Sequence, residues 1–276
     1  MGCLIDTHCH LDTVSLAPTS LLLELEEATK GVAHCVIPAV EVANFDTVRT
    51  LAHALGYSYG LGIHPLVVER TSEDDLSLLK SMLEKYQYDP RLVGIGEIGL
   101  DGFYGFGNVI SEKQEFFFRE QLKIARELDL PVMLHVRRAV DKVLKHLRDI
   151  PVRGGIAHAF NGSLQQAHHF MQRGFKLGFG GAVTYQRARH LRELVQTLPL
   201  DALVLETDSP DMPPHWLYVT AEQRATGIVP PDNIPAELPR IAALIADLRS
   251  ITPEALAQAT TQNATVALPK LGAMLV

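Results

Sequence analysis

Short apolar runs alternate with longer amphipathic stretches along the whole chain. This alternation is typical of parallel strands joined by crossover helices, because each helix packs on the face of the strands that it connects. Eight runs qualify as strands, and eight such units favour a closed (β/α)8 TIM barrel over its rival, a doubly wound open sheet. The runs are CLIDTH (3–8), AHCVIPA (33–39), SYGLGIH (58–64), LVGIGE (92–97), PVMLH (131–135), GGIAH (154–158), FKLGFGG (175–181) and ALVLET (202–207).

The amphipathic segments between these runs predict the outer helices. Residues 111–130 form one such segment and residues 164–174 another. Ser163 and Gln166 have the spacing of a capping box at the start of the second helix, and Gly174 is placed to end it. Two further helical segments follow later in the chain, AELPRIAALIADLRS (236–250) and TPEALAQATTQNATVAL (252–268).

Length favours one domain that spans residues 1–276, because α/β barrels of about 250 residues form a single unit. The Pro-rich segment 209–235 follows the eighth apolar run. A loop of that length in a compact domain is usually functional. We therefore expect this loop to have a functional role.

The net charge of -7 argues against binding nucleic acid through a broadly basic surface. It leaves room for an enzyme that holds a few phosphates with metals and arginines. The three cysteines show no regular spacing, which predicts no disulfide framework and fits a reducing, cytoplasmic location. Neither a signal peptide nor a run of about 18 apolar residues is evident, so we expect no membrane contact.

The first apolar run ends in IDTHCH, residues 5–10. Side chains two apart on a strand point the same way, so His8 and His10 would face one point together. Neutral imidazoles in that arrangement suit a shared metal ion. Cys9 would face the opposite side and pack in the barrel wall.

Good metal ligands also end most of the later runs. The carboxyl ends of barrel strands converge on one face, where active sites lie, so distant residues would meet in one small volume. The residues at these ends are His64, Glu97, His135, His158 and Asp208, with Glu206 two positions before Asp208.

This inventory exceeds what one tetrahedral catalytic ion needs, so we predict two divalent ions, with Zn, Mn and Mg as candidates. Two ions can activate a water and clamp both oxygens of a phosphoryl displacement. Asp208 is placed to accept the proton of the water. Glu206 is placed to form a hydrogen bond to a metal ligand or to the water. In the predicted split, Glu97 bridges one ion held by His8, His10 and Asp208 and another held by His135 and His158.

Three residues near these ligands have less specific signals. His64 precedes a proline and is either part of the site or a structural turn residue. Arg137 and Arg138 follow His135, and one of them either contacts substrate phosphate or is a surface arginine that opens the next helix. Most other histidines fall in helical patterns and are expected to be solvated, except His215 in the long loop; this group is His34, His53, His146, His168, His169, His190 and His215.

The chain contains six short motifs in this order: DTHCHLD, GIHP, GEIGLD, LPVMLHVRRA, AHAFNG and ETDSPDMP. In order and spacing, these motifs resemble those of the TatD family of metal-dependent deoxyribonucleases, and in particular its YjjV-like branch. The resemblance implies a barrel of the amidohydrolase-like hydrolase type, metal ligands at the six positions predicted above, and phosphodiester hydrolysis by a DNase, with some members acting as 3′–5′ exonucleases. It also implies that His64 and Arg137 lie near the substrate, which would be DNA or another phosphodiester or ester.

The chain departs from the family pattern near the substrate and leaves the metal positions intact. Val136 replaces the usual Ser, Ala159 and Asn161 replace residues of the commoner HCFSG, and Leu268 stands where Phe is frequent. These changes leave two other functions open. One is an amide or ester hydrolase similar to a D-aminoacyl-tRNA deacylase, and the other is a metal-dependent interaction protein. No obligate protein partner is evident.

Overall fold

Eight parallel strands form one sheet in the computed structural model, which describes residues 3–13, 26–103 and 111–275. Each strand pairs with the next one along the chain, as successive strand–helix–strand units require. The strands are β1 (Ile5–Asp6), β2 (His34–Pro38), β3 (Ser58–Leu61), β4 (Leu92–Asp101), β5 (Val132–Arg137), β6 (Gly155–Ala157), β7 (Phe175–Phe179) and β8 (Leu203–Leu205).

Hydrogen bonds between the ends of β8 and β1 close this sheet. The backbone N and the Oγ1 of Thr7 both donate to the Leu205 carbonyl, each at 3.0 Å. The Asp208 N–H donates to the His8 carbonyl at 2.9 Å. The predicted (β/α)8 barrel is therefore confirmed, and the open sheet is excluded.

Helices alternate with the strands on the outside of the barrel. The predicted capping box is present, since Ser163 Oγ accepts from Gln166 N and Gln166 Oε1 accepts from Ser163 N. In residues 3–13, 26–103 and 111–275, no helix combines the length and the apolar character that a membrane span needs. The longer helices are Phe45–Leu55, Glu73–Lys85, Glu112–Glu127, Val140–Asp149, Leu164–Met171, Arg189–Thr197, Leu238–Leu248 and Pro253–Ala267, and shorter ones are Ala221–Ala225 and Pro269–Gly272.

The last two helices seal the amino-terminal end of the barrel. Leu268 and Leu271 pack in one buried cluster with inward-facing residues of the strands, among them Ile5, Val36 and Val204. Burying these aliphatic side chains stabilises the fold by about 2 kcal/mol each. The opposite, carboxyl-terminal end of the barrel is left for the site.

Two strand ends differ from the prediction. Strand β1 ends at Asp6, so His8 and His10 follow the strand instead of lying on it. Strand β4 continues past Glu97 to Asp101. Ile95 lies opposite Val132 of β5, and Ile98 lies opposite Leu134. Strand β4 therefore advances three residues while β5 advances two, which is a β-bulge. Periodicity alone does not reveal a bulge, and this one re-aims the Glu97 side chain.

Two histidines outside the site are buried. The prediction of a solvated position was wrong for His146, which lies on a helix, whereas His34 belongs to the second apolar run. His34 begins β2, and its Nε2 lies 2.7 Å from Ser58 Oγ. His146 lies on the inner side of its helix, with Nε2 2.9 Å from Glu115 Oε2. Burial, with the positive charge of Arg91, lowers the pKa of His34 to about 4. His34 is therefore neutral at pH 7.

This lowered pKa predicts a loss of stability in mild acid. The unfolded chain, with a His pKa of about 6.5, takes up the proton first as the pH falls, whereas folded His34 stays neutral until about pH 4. Between pH 7 and pH 5, His34 therefore reduces the free energy of unfolding by about 2 kcal/mol. We expect His34→Gln to remove this part of the pH dependence, measured by urea denaturation of chelator-treated protein.

His168→Gln is the matched control, because His168 is exposed on its helix. In His168→Gln, the free energy of unfolding should fall between pH 7 and pH 5 by as much as in wild type. If it falls by the same amount in His34→Gln, His34 is not the source of this pH dependence.

Candidate metal centre

The buried carboxylate of Glu97 lies at the centre of the carboxyl-terminal face, and its Oε2 faces the histidines that follow β1. This oxygen is 3.1 Å from His8 Nε2 and 3.3 Å from His10 Nε2. Asp208, which follows β8, places its Oδ1 3.7 Å from His8 Nε2 and 3.8 Å from His10 Nε2. The first predicted ligand group, His8, His10 and Asp208, is thus brought together around one oxygen of Glu97.

The other oxygen, Glu97 Oε1, faces histidines from the adjoining strands. It lies 2.8 Å from His158 Nε2, 2.9 Å from His135 Nδ1 and 3.3 Å from His64 Nε2. The second predicted group, His135 and His158, is therefore also assembled. The two oxygens of one carboxylate point to two separate sets of imidazoles.

Asp101 fixes the orientation of His135, and sequence reasoning missed it. Burial alone would raise the pKa of Asp101, but the hydrogen bond from His135 lowers it, so the carboxylate is ionised and accepts. His135 Nε2 donates to Asp101 Oδ2 at 3.0 Å, which leaves Nδ1 directed at Glu97. A carboxylate that orients a ligand histidine in this way is common around metals. Asp101 ends the quoted motif GEIGLD, so the signal was present in the sequence.

His64 is held in the opposite tautomer. The backbone N–H of Leu66 donates to His64 Nδ1 at 3.1 Å, which occupies the lone pair of that nitrogen. Burial lowers the pKa of His64, so the ring is neutral and carries its proton on Nε2. That N–H donates to Glu97 Oε1. His64 is therefore arranged as a hydrogen-bond donor in the centre, and the alternative of a turn residue remote from the site does not hold.

The donor set fits divalent cations. His8 Nε2 lies 3.3 Å from His10 Nε2, and His158 Nε2 lies 3.3 Å from His135 Nδ1. Lone pairs that face each other at this distance repel unless a proton or a cation lies between them. Neutral imidazole and carboxylate are the ligands of Zn²⁺ and similar transition metals. Three groups have ligand atoms within 4.8 Å of one another: His8, His158 and Asp208; His8, His10 and Glu97; and His64, Glu97 and His135.

Burial and mutual repulsion decide the charges in this cluster. The rings of His8 and His158 stack at 4.0 Å with planes 10° apart. Burial, and then the charge of His158, lower the pKa of His8 to about 3, which keeps His8 neutral. Burial would also lower the pKa of His158, but Glu97 raises it to about 10. The carboxylate itself stays ionised, because the surrounding histidines hold the pKa of Glu97 well below its usual range despite burial.

Hydrogen bonds to the buried carboxylate of Asp6 join the two loops that carry the first predicted ligand group. The Asp6 carboxylate accepts from His8 N at 3.2 Å, from Thr207 N at 3.0 Å and from Thr207 Oγ1 at 2.6 Å. It therefore fixes the backbone beside His8 and beside Asp208. Asp208 has a φ of 53°, a left-handed conformation that Asp tolerates better than most residues. Sequence reasoning missed Asp6 because it precedes the ligands as an ordinary strand residue.

Glu206 lies behind the ligands, at the wall of a cavity between the β6, β7 and β8 ends. Its Oε1 accepts from Ala159 N at 2.5 Å, and its Oε2 has no hydrogen-bond partner in the described part of the chain. A Cβ on Gly178 would lie 2.0 Å from Oε2, so only glycine leaves room for the carboxyl group. Burial raises the pKa of Glu206 to about 8, so at pH 7 it is mainly the neutral acid. Asn161 lines the same cavity.

The long loop after β8 borders this cavity. Asn233 is buried and donates from Nδ2 to the carbonyls of Thr207 and Asp211, at 3.0 and 2.5 Å. These bonds tie the far end of the loop to the backbone beside Asp208. Met212 from the same loop lines the cavity.

Arg137 lies at the rim of the centre with its side chain half exposed. Its Nη1 is 3.8 Å from Asp101 Oδ2, and its Cζ is 4.0 Å from the Phe103 ring centroid. Arg138 approaches the same ring, with its Cζ at 4.6 Å from the centroid. Both guanidinium groups therefore lie on one aromatic side chain at the mouth of the site.

Comparisons with known proteins identify the family of this chain. A family model described as "TatD related DNase" matches residues 5–268. The chain is 39% identical over 262 residues to the "Uncharacterized metal-dependent hydrolase YjjV" of Escherichia coli (strain K12), covering 94% of this chain and 95% of that protein. It is 31% identical to the "Uncharacterized metal-dependent hydrolase YabD" of Bacillus subtilis (strain 168), covering 95% and 97% of the two chains.

A solved structure shows the same architecture. The crystal structure of the E. coli YJJV protein, described as a TATD homolog, superimposes with a TM-score of 0.83 at 38% identity, covering 96% of this chain and 98% of that one. The family match spans nearly all of the barrel, and both relatives carry the description of metal-dependent hydrolases. This chain belongs to the TatD family of metal-dependent hydrolases.

Proposed function

We propose that this hydrolase cleaves phosphodiester bonds at the ends of DNA strands, as a 3′–5′ exonuclease. The observation that carries the proposal is the Glu97 carboxylate, whose two oxygens face separate sets of imidazoles. A carboxylate placed in this way suits a pair of divalent ions. Paired ions are the usual centre of nucleases and phosphatases. The match to the family of TatD related DNases supports the same bond type.

The proposed ligands divide between the two oxygens of Glu97, and this carboxylate would contribute to holding both ions. His8, His10 and Asp208 would hold one ion, and His135 and His158 the other. Zn²⁺ and Mn²⁺ fit these imidazole-rich sets better than Mg²⁺. When bound, two such ions lower the pKa of a water molecule and neutralise the charge that develops on the transferring phosphoryl group.

The side chains around the ligands would orient the diester and move its protons. Asp208 is about one-eighth exposed on the open side, where its second oxygen can accept the proton of the attacking water. His64 Nε2–H would exchange its contact with Glu97 Oε1 for a phosphate oxygen when substrate binds, because its other nitrogen stays engaged by Leu66. Glu206, as the neutral acid, would donate from Oε2 into the cavity. Arg137 at the rim would bind the next phosphate along the strand.

The proposed metal content can be measured directly. We expect elemental analysis of the purified protein to give two divalent ions per chain, and Glu97→Gln to lose at least one, because an amide offers a single oxygen and cannot bridge. Glu84→Gln is the matched control, since Glu84 is half exposed on a remote helix. One ion per wild-type chain, or an unchanged count in Glu97→Gln, would contradict the bridged pair.

The nuclease activity predicts a ladder of products shortened from the 3′ end. The substrates are 5′-labelled single-stranded and duplex DNA, digested with Zn²⁺, Mn²⁺ or Mg²⁺. We expect Glu97→Ala to reduce kcat/KM by on the order of 1,000-fold, because the ions supply several kcal/mol of transition-state stabilisation. Equal digestion by wild type and variant would show that the activity does not belong to this centre.

A substrate panel separates the amide or ester alternative from the phosphodiesterase. The negative net charge of -7 is the observation that favours this alternative. The panel contains a simple diester, bis(p-nitrophenyl) phosphate, together with aryl esters, aryl amides and a D-aminoacyl-tRNA. Metal-dependent hydrolysis of the esters or amides with no hydrolysis of the diester would replace the proposed function by the alternative.

The orienting role of Asp101 gives a further prediction. Asp101→Asn removes the acceptor charge opposite His135, and such changes typically cost 10- to 100-fold in metal affinity. We expect calorimetric titration of chelator-treated protein with Zn²⁺ to show a loss of about that size at one of the two sites. The control is Glu115→Gln, which breaks the carboxylate–histidine pair with His146 away from the centre. If both variants bind like wild type, Asp101 has no positioning role.

A further inference from the structure

Aromatic side chains gather on the rim between the loops that follow β7 and β8. The Tyr185 ring lies 6.2 Å from the Tyr218 ring and 6.3 Å from the His215 ring, centroid to centroid, in edge-to-face contacts. The guanidinium carbon of Arg187 is 5.3 Å from the Tyr185 centroid. The Tyr218 side chain is about half exposed, and His215 and Arg187 are exposed. We name Tyr185, Arg187, His215 and Tyr218 the aromatic shelf.

The shelf is held rigidly before any ligand arrives. Tyr185 OH donates to the Pro213 carbonyl at 3.1 Å, which holds the tip of its ring against the loop that follows β8. Thr184 Oγ1 accepts from His215 N at 2.8 Å and donates to the Gly181 carbonyl at 2.6 Å. These bonds join the two loops to each other. A preorganised surface loses little entropy when it binds a ligand.

The shelf is continuous with the proposed metal centre. Ala182, Leu191 and Met212 line the cavity that contains Glu206 and Asp208, and the same three residues line a shallow groove beside Tyr185 and Arg187. A chain molecule that leaves the centre on this side would therefore lie across the shelf.

The charge next to the shelf is positive, although the whole protein is acidic. Residues 185–192, YQRARHLR, contain three arginines and a histidine and no acidic residue, whereas the chain as a whole has a net charge of -7. Arg187 and Arg189 are exposed. A ligand that suits exposed rings beside arginines is a planar base with a phosphate next to it, because bases stack on aromatic faces and guanidinium binds phosphate.

We propose that the aromatic shelf is a subsite for an unpaired nucleotide of the substrate strand. The base stacks on the face of the half-exposed Tyr218 ring and contacts Tyr185 at its side, since the two rings stand 79° apart, and Arg187 binds the adjacent phosphate. A base inside a duplex has both faces covered by its neighbours, so the shelf selects single strands or frayed ends. This subsite rests on the proposed function for the identity of its ligand, and it deepens that function by naming the strand form that the centre receives.

The test scans the base that the shelf would hold. The probe is a labelled strand of about 12 nucleotides with phosphorothioate linkages against hydrolysis, and one nucleotide at a time lacks its base. Its affinity for the metal-loaded protein is measured by fluorescence anisotropy. We expect wild type to lose about 10-fold in affinity when the missing base is the one on the shelf, since stacking is worth about 1–3 kcal/mol per base. DNA and RNA versions of the probe distinguish which strand is the natural source.

Tyr185→Leu and Tyr218→Leu should bind the intact strand about 10-fold more weakly, and the affinity should no longer depend on the base at that position. Tyr218→Leu keeps the test decisive if loss of the Tyr185 hydrogen bond unfolds the first variant, because Tyr218 is half exposed. Tyr88→Leu, at a tyrosine that is 89% exposed and remote from the site, is the matched control and should retain the wild-type profile. Two results would overturn the subsite. One is that both shelf variants lose as much affinity as wild type when the base is missing, and the other is that wild type loses no affinity at any position.

Hydrolysis of bis(p-nitrophenyl) phosphate keeps this result separate from the proposed function. If wild type cleaves the diester and no base position affects strand binding, the shelf is wrong and the phosphodiesterase stands. If the shelf variants lose the base-dependent binding and no diester is cleaved, the shelf stands and the proposed reaction fails.

Discussion

A buried negative charge at Glu97 is the constraint around which the carboxyl-terminal face is built. An ionised carboxylate inside a protein is very unfavourable unless charged or hydrogen-bonding partners surround it. Here histidines from β5 and from the ends of β1, β3 and β6 supply those partners, all within 3.3 Å of its oxygens. The same imidazoles repel one another if they are protonated together. A metal-dependent hydrolase resolves this conflict with cations, which satisfy the carboxylate and the ring nitrogens at once.

The same hydrogen bonds that close the barrel between β8 and β1 also bring residues of the centre together. Asp6 accepts hydrogen bonds from both the β1 and the β8 loops, and the same loops carry His8 and Asp208. On the opposite side, Asp101 extends β4 beyond the bulge and orients His135. The predicted ligands thus depend on Asp6 and Asp101, which lie on paired strands. This dependence explains why side chains separated by 200 positions meet with hydrogen-bonding accuracy.

The eight apolar runs predicted the barrel, and the convergence of polar side chains was predicted because six of those runs end in or near a good metal-binding residue. The sequence could not predict the bulge that turns Glu97 inward, since a bulge changes register without changing composition. It also missed the burial of His34 and His146, whose polar partners Ser58 and Glu115 come from other elements. The tautomers of His64 and His135 depend on Leu66 N and Asp101, which are contacts in space. The aromatic shelf was hidden for the same reason, since Tyr185 and Tyr218 are far apart in the chain.

The seal beneath the barrel has a consequence for how the protein is made. Ile5 and Val36, near the start of the chain, share a buried cluster with Leu268 and Leu271. The interior is therefore incomplete until the last helices have emerged from the ribosome, and long-range contacts of this kind slow folding. During synthesis the inward-facing apolar side chains of the early strands therefore stay uncovered until those helices pack against them.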